Sequence, residues 1–224
     1  MERDDVRAAL AASRDDVVTT RVPKLLDWAR RLQAIAQTGV AYGETPIYHR
    51  ERYEQVRRVA AEMLAANGDV GPIDARLALE TGHATPKLDV RGVVFRDEEI
   101  LLVREPEGWS LPGGWVDVGE SPAEATVREV LEESGYATRA TKLLALQDRD
   151  RQGYPPHAWH VWKAIFLCEL EDGEQHELGA ETDDARFFAL DRLPETLRVG
   201  ASTRRLIERC YEHRNHPEWP TDFD

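Results

Sequence analysis

The segment GWVDVGESPAEATVREVLEESGY, residues 114–136, joins a glycine turn, a loop and a short helix. Ser121 has the position of a helix N-cap, Pro122 that of the first helical residue, and Glu124 completes a capping box. Gly135 stands where a left-handed glycine commonly ends a helix. The sequence therefore predicts a helix between Ser121 and Gly135.

The predicted helix has two different faces. At about 100° per residue, Glu129, Glu132 and Glu133 fall on one side. The opposite side carries the apolar residues Ala123, Val127, Val130 and Leu131. Like charges one turn apart cost a few tenths of a kcal/mol per pair, so a chain with no use for them could place lysine there. The alternatives are a solvated acidic face and a group of carboxylates that converge on a ligand.

The spacing of these residues favours the second alternative. The segment fits Gly-x5-Glu-x7-Arg-Glu-Val-x-Glu-Glu-x-Gly-Tyr, with Gly114, Glu120, Arg128, Glu129, Glu132, Glu133 and Gly135 in place. This pattern resembles the Nudix box. Tyr136 departs from the family's usual aliphatic residue, but this position concerns packing and not chemistry. The resemblance implies an α/β protein, with a Nudix-type α/β/α sandwich around a mixed sheet.

The resemblance also implies a metal site and a reaction. Glu129, Glu132 and Glu133 would be the metal ligands, with the Gly114 carbonyl as a further one. Oxygen ligands without histidine or cysteine suit hard cations, so Mg²⁺ or Mn²⁺ is expected. The number of metal ions stays open. The implied reaction is hydrolysis of the pyrophosphate bond in a small molecule, a nucleoside diphosphate linked to another group.

Two further roles concern catalysis. Arg128 stands at the family's arginine position, and we expect it to pair with Glu120 and hold the loop against the helix. The general base is either Glu133, from within the box, or Glu181 in the later loop HELGAETDD, where several relatives carry it. For Glu181 the alternative is a solvated loop acid.

Substrate contacts are predicted from residue type and place. Arg91 and Arg104 lie on predicted strands that lead to the box, and their guanidinium groups could meet phosphate oxygens. Trp109 and Tyr154 could stack on a base or a sugar. The alternatives are surface ion pairs for the arginines and ordinary packing for the aromatic rings.

We predict three segments in the chain: a helical N-terminal module at 1–70, a linker at 71–85 and a Nudix hydrolase domain at 86–224. Apolar residues at helical spacing predict one helix from Pro23 to near Gly39 and another over about Tyr48–Ala66. A hairpin of two such helices cannot bury both apolar faces alone, so we expect a homodimer through them.

The helices WARRLQAIAQTGVAY and RERYEQVRRVAAEML resemble a module found ahead of some Nudix hydrolases. Members with that module include CDP-choline pyrophosphatases and proteins labelled ADP-ribose pyrophosphatases. The resemblance implies CDP-choline or a related CDP-alcohol as substrate, with ADP-ribose as the alternative. A non-catalytic Nudix-fold nucleotide sensor is an alternative of another class, but such proteins usually lose the box carboxylates retained here.

The remaining pattern indicates a mixed α/β domain. We predict strands at Val90–Arg96, Ile100–Arg104, Leu143–Leu146, Trp159–Leu170 and Arg186–Leu190, and a last helix at Thr203–His213.

Composition limits the possible environments and partners. With 42% hydrophobic residues among 224, the chain can bury a core. The net charge of −13 argues against sequence-independent nucleic acid binding and leaves RNA only as a side substrate. The sequence lacks the apolar run of a membrane span or a signal peptide, so we predict a cytoplasmic protein without membrane contact.

Overall fold

The computed structural model describes residues 23–42, 47–65, 77, 79–177, 179 and 182–224. Glu181 and much of the predicted linker 71–85 lie outside the described residues. The chain forms two compact units, which comprise Arg21–Lys87 with Pro156–Val161, and Leu88–Pro155 with Trp162–Asp224. No described helix has the length and apolar character that a membrane span requires.

The first unit contains a helical hairpin. Helix α1 spans Lys24–Tyr42 and helix α2 spans Ile47–Leu64, and the two pack against each other. Their contact buries the small residues Ala29, Ala36, Ala60 and Ala61. The prediction that α1 ends near Gly39 is wrong, because the helix continues past it. A Cβ at Gly39 would lie 2.5 Å from the ring of Tyr53, so this glycine permits a close helix contact.

In the second unit, strands and helices occur in the predicted order. Its elements are β1 Lys87–Arg96, β2 Glu99–Glu105, β3 Gly108–Ser110, α3 Pro122–Ser134, β4 Tyr136–Asp148, β5 Val161–Gln175, β6 Asp184–Ala189, α4 Arg204–Asn215 and β7 Asp222–Phe223. Each predicted strand is confirmed, and β4 is much longer than predicted because it pairs with β5 along most of its length.

The described strands form a mixed sheet in the order β3-β2-β1-β5-β4-β7. Strand β6 pairs with the edge of β2 opposite the one that pairs with β1 and β3. The β1–β2 hairpin is antiparallel, as are β4 and β5, whereas β4 and β7 are parallel. The predicted mixed sheet is therefore confirmed.

Helices α3 and α4 cover opposite faces of this sheet. Val93 of β1 packs in a cluster with Ile207 of α4, and the next residue, Val94, packs in a cluster with Val130 of α3. Because successive side chains of a strand point to opposite faces, this alternation places one helix on each side. The structure is thus the predicted α/β/α sandwich.

The ends of α3 are as predicted. The Ser121 Oγ accepts a hydrogen bond from the Glu124 N–H at 3.2 Å, and Glu124 Oε2 accepts one from the Ser121 N–H at 2.8 Å. Gly135 adopts a left-handed conformation with φ of 72°, and its N–H donates to the Leu131 carbonyl at 2.9 Å. Local signals alone therefore fix the limits of this helix.

The predicted core face of α3 is partly wrong. Leu131 is 42% exposed, whereas the buried residues are Ala125, Thr126, Val130, Glu133 and Ser134. The reason is a close approach to β1. A Cβ at Gly92 would lie 2.3 Å from Val130 Cγ2, so only glycine lets α3 pack in this orientation. The side that carries Glu133 consequently faces the protein and not the solvent.

Two glycines allow a matched test of the helix end. Gly135 and Gly173 share a φ of 72°, but a Cβ at Gly135 would lie 2.4 Å from the His176 carbonyl oxygen, whereas nothing lies within 4 Å at Gly173. We expect Gly173→Ala to cost about 1 kcal/mol of unfolding free energy, from left-handed strain alone. Gly135→Ala should cost clearly more in urea denaturation. Equal losses would show that the backbone contact has no effect.

Candidate active site

A glycine loop lies along β1. The Gly92 N–H donates to the Pro112 carbonyl and the Val90 N–H donates to the Gly114 carbonyl, both at 2.8 Å. Gly113 has φ of 142°, and a Cβ there would lie 2.0 Å from the Val90 carbonyl oxygen. Only a residue without a side chain fits this space, so the loop is held directly on the strand.

The same loop contacts the carboxylates of α3. The Gly113 N–H donates to Glu133 Oε2 at 2.8 Å. A Cβ at Gly114 would lie 2.8 Å from Glu129 Oε1, so this carboxylate packs on the bare backbone. The structure therefore brings the Gly114 backbone together with Glu129, as the metal-ligand prediction requires. The role of Gly113 was not predicted, and its signal in the sequence is the adjacent pair of glycines.

Arg128 connects the loop acid with the helix acids. Its Nε and Nη2 donate to the two carboxylate oxygens of Glu120, at 2.8 and 3.0 Å. Its Nη1 donates to Glu129 Oε1 and to Glu132 Oε2, both at 3.0 Å. The predicted pairing with Glu120 is confirmed, and the hydrogen bonds from Arg128 lower the pKa of the Glu120 carboxyl. Three carboxylates thus converge on one guanidinium.

The positive charges near the buried acids Glu129 and Glu133 do not compensate for their burial. Burial raises the pKa of Glu133 to about 7, although the Gly113 N–H and the charge of Arg91 oppose the shift. Burial also raises the pKa of Glu129, against the hydrogen bond from Arg128. Both carboxyls would therefore be stabilised as anions by an added cation.

The atom types of this donor set suit a hard divalent cation, although the three carboxylates are not among the groups whose ligand atoms all lie within 4.8 Å of one another. Glu129, Glu132 and Glu133 offer carboxylate oxygens, and the Gly114 carbonyl keeps a second lone pair beside its bond to the Val90 N–H. Oxygen-only donors suit Mg²⁺ or Mn²⁺ better than zinc. Binding would displace protons from the acids with raised pKa values, as metal binding to protonated ligands does.

Two of the predicted substrate contacts are buried. Arg91 is 5% exposed, and its Nε and Nη2 donate to the Asp89 carboxylate at 3.1 and 2.8 Å. Tyr154 is also buried, and its hydroxyl has no hydrogen-bond partner among the described residues. The ammonium group of Lys163 also donates a hydrogen bond to Asp89. Neither Asp89 nor Lys163 was predicted from the sequence. Their signal in the sequence is a charged residue between two apolar ones, Leu88 and Val90 for Asp89 and Trp162 and Ala164 for Lys163.

The other two predicted contacts lie side by side. Arg104 of β2 is exposed and pairs in register with Trp109 of β3, and its guanidinium lies 6.0 Å from the centre of the indole ring. Trp109 also packs edge-on against Phe188, with ring centres 4.8 Å apart. Nothing in this packing tests substrate binding, so the roles of Arg91, Arg104, Trp109 and Tyr154 stay predictions.

Comparison with known proteins gives the family. The NUDIX domain family matches residues 85–210, which is more than half of the chain. The chain belongs to the Nudix hydrolase family. A second match, to a family described as a UDP-X-like, N-terminal oligomerisation domain, covers residues 23–76. The predicted resemblance of both segments is confirmed, and the protein is a Nudix pyrophosphohydrolase.

Among the named proteins that this chain resembles, some match nearly all of it and others match its larger part. YjhB of Bacillus subtilis, named provisionally as an ADP-ribose pyrophosphatase, is 44% identical over 90% of this chain and 97% of its own. The crystal structure of a UDP-X diphosphatase is 33% identical, covers 90% of this chain and 98% of its own, and has a TM-score of 0.57. An ADP-ribose pyrophosphatase of Streptococcus suis is 39% identical over 62% of this chain and 100% of its own, also with a TM-score of 0.57.

The raised pKa of Glu133 predicts a pH-dependent stability when no metal is present. The pKa of Glu133 is about 7 in the folded protein and has an ordinary value of 4.5. The contribution of protonated Glu133 to the free energy of unfolding is therefore complete below about pH 4.5 and is lost as pH rises through 7. The loss is up to about 3 kcal/mol. In urea unfolding with a chelator, the stability advantage of the wild type over Glu133→Gln should therefore shrink between these pH values.

Glu120→Gln is the control, because the pKa of Glu120 is lowered and not raised. The contribution of Glu120 is lost as pH falls, so its difference from the wild type should have the opposite pH dependence. A constant difference for Glu133→Gln would contradict the burial of an uncompensated acid at this position.

Proposed function

We propose that the protein hydrolyses the pyrophosphate bond of a nucleoside diphosphate linked to a second group. The products are a nucleoside monophosphate and the phosphorylated second group. The observation that carries this proposal is the convergence of Glu120, Glu129 and Glu132 on Arg128, next to Glu133 and the glycine loop. A nucleotide sensor without activity would not need four carboxylates at one site.

ADP-ribose is the leading substrate. Support comes from YjhB, the relative that matches both the helical and the Nudix segments at 44% identity, and from the Streptococcus suis enzyme. A UDP-linked compound is the second candidate, because the UDP-X diphosphatase matches over 90% of this chain and the N-terminal family is described as UDP-X-like. CDP-choline, the substrate predicted from the N-terminal resemblance, remains a third candidate.

Magnesium would be held by Glu129, Glu132, Glu133 and the Gly114 carbonyl. When bound, it supplies neutralisation of phosphate charge and a lowered pKa of the attacking water. Arg128 holds the carboxylates of α3 and the loop acid Glu120 in one arrangement before the substrate arrives.

Glu133 is our candidate for the general base. Burial raises its pKa to about 7 in the metal-free site, and a bound cation would keep the carboxylate ionised and able to accept a proton. The Gly113 N–H holds Oε2, which fixes the side chain and directs the carboxylate. Glu181, the alternative base, lies outside the described residues.

A substrate panel tests the activity. We expect turnover of ADP-ribose with Mg²⁺ or Mn²⁺, measured as phosphate released by a coupled phosphatase, at a kcat/KM above that of UDP-glucose, CDP-choline and NADH. Activity should vanish in chelator and return with the metal, because the carboxylates need a cation to bind phosphate. Persistence in chelator would contradict the proposed metal site, and binding without turnover would support the sensor.

Variants of the carboxylates test their roles. Glu132→Gln and Glu133→Gln should each lower kcat by at least about 100-fold, because each removes a proposed ligand. Glu208→Gln, on the exposed surface of α4, is the matched control and should keep wild-type turnover. Near wild-type activity in Glu132→Gln or Glu133→Gln would reject the assignment of that residue as a ligand.

We also propose that the protein is a homodimer through the N-terminal helices. Leu25, Trp28 and Ile35 are each more than 40% exposed and lie on one side of α1. Val59 of α2 is 49% exposed. Support also comes from the description of the matching family as an oligomerisation domain. An exposed apolar stripe of this kind is typical of surfaces that bind another protein.

A charge on the stripe should dissociate the dimer. We expect Trp28→Glu and Ile35→Glu to give monomers in analytical ultracentrifugation, because a buried unpaired carboxylate is costly at an apolar interface. Ala41→Glu adds the same charge to an exposed position on another side of α1 and should leave the dimer intact. Dimers in all three variants would place the interface elsewhere.

A further inference from the structure

Three charged side chains are buried together beneath the glycine loop. Asp89, Arg91 and Lys163 are 7%, 5% and 1% exposed. Asp89 accepts two hydrogen bonds from Arg91, and its Oδ1 also accepts one from Lys163 Nζ. We refer to these three residues as the buried ion cluster.

The buried ion cluster is a poor choice for stability alone. Each buried charge loses several kcal/mol of hydration, and apolar residues of similar volume often stabilise a fold equally well or better. The cluster also has two cationic groups for one carboxylate. In consequence, burial and the charge of Arg91 lower the pKa of Lys163 to about 8, against the pull of Asp89. A specific task for these side chains is therefore the better explanation.

Arg91 has one further partner, and this partner belongs to the active-site loop. Its Nη1 donates to the Leu111 carbonyl at 3.1 Å. The N–H of Leu111 donates to Ser202 Oγ at 3.0 Å, so both polar groups of this residue's backbone are held by side chains. Leu111 directly precedes Pro112, whose own carbonyl is bonded to β1. The anchored backbone thus leads straight into the two glycines.

We propose that Arg91 is a positioning residue that fixes residues 111–114, and that the affinity of the site for a divalent cation depends on it. Asp89 orients the guanidinium by a bidentate hydrogen bond, a contact that Arg91 keeps when Lys163 is replaced. This inference rests on the proposed metal site.

The step from Arg91 to the cation site is short. Residues 113 and 114 contact the carboxylates directly, through the Gly113 N–H to Glu133 and the close packing of Gly114 on Glu129. A loop displaced by a fraction of an ångström would move a carbonyl ligand and release a carboxylate. Mg²⁺ and Mn²⁺ tolerate such changes poorly, and lost outer-shell partners typically cost 10–100-fold in affinity.

Two variants compare the loop contact with the charge of the buried ion cluster. Arg91→Met leaves Asp89 paired with Lys163, and Lys163→Met leaves Asp89 paired with Arg91. Each variant removes one cationic group and keeps one neutral buried pair, but only Arg91→Met loses the bond to the Leu111 carbonyl. Both substitutions remove one positive charge from the cluster, but the charge of Arg91 also acts on Glu129 and Glu133. Ser202→Ala removes a bond to the Leu111 backbone without a change of charge, and it separates the loop contact from that charge.

The measurement is Mn²⁺ binding by isothermal titration calorimetry, together with the melting temperature and kcat. We expect the Mn²⁺ dissociation constant to rise at least about tenfold in Arg91→Met, with a parallel loss of kcat, and to stay within about threefold of wild type in Lys163→Met. Arg139→Gln is the control, because it breaks an exposed ion pair with Glu169 between β4 and β5. It should change neither the Mn²⁺ dissociation constant nor kcat.

Other results would overturn the inference. Equal weakening of Mn²⁺ binding in Arg91→Met and Lys163→Met would show that the charge of the cluster, and not the loop contact, controls the affinity. A lower melting temperature of Arg91→Met with unchanged Mn²⁺ affinity would show that Arg91 contributes to stability alone. If Arg91→Met does not fold, Ser202→Ala removes the other bond to the Leu111 backbone and tests the same point, with unchanged affinity counting against it. A wild-type protein that binds no Mn²⁺ would reject the proposed metal site and this inference with it, whereas unchanged affinity in the variants rejects only the inference.

Discussion

The active site depends on a backbone segment that leaves no room for side chains. Gly113 and Gly114 lie between β1 and α3, where a Cβ on either would meet the Val90 carbonyl or the Glu129 carboxylate. Because the bare backbone fits there, the Gly113 N–H reaches the Glu133 carboxylate and the Gly114 backbone packs on Glu129. A strand, a loop and a helix are thereby joined at the candidate active site.

This packing explains the electrostatics of the site. It removes Glu133 from water and offers one N–H in return, so burial prevails and the pKa rises. Arg128 compensates three neighbouring carboxylates but is not bonded to Glu133. The protein thus assembles more negative charge than it neutralises by itself. A divalent cation bound at the proposed site would offset this charge.

Much of the fold could be predicted from local patterns. The capping box at Ser121, the left-handed Gly135 and the apolar strands are signals within a few residues of where they act. The face that α3 buries could not be predicted in the same way. Periodicity placed Leu131 in the core, but the approach permitted by Gly92 turned the helix so that Glu133 is buried and Leu131 is exposed. That orientation depends on a contact between residues far apart in sequence.

The sequence by itself determined the limits of α3, the order of the predicted strands, and the kind and spacing of the carboxylates, and through them the family and the bond that is broken. Only the tertiary structure decided that Arg91 is a buried partner of Asp89 and Lys163, and that Pro156–Val161 belongs to the same unit as the N-terminal helices. The physical reason is that caps and periodicity arise from neighbouring residues, whereas burial and charge pairing arise from strands and loops that meet only after the chain has folded.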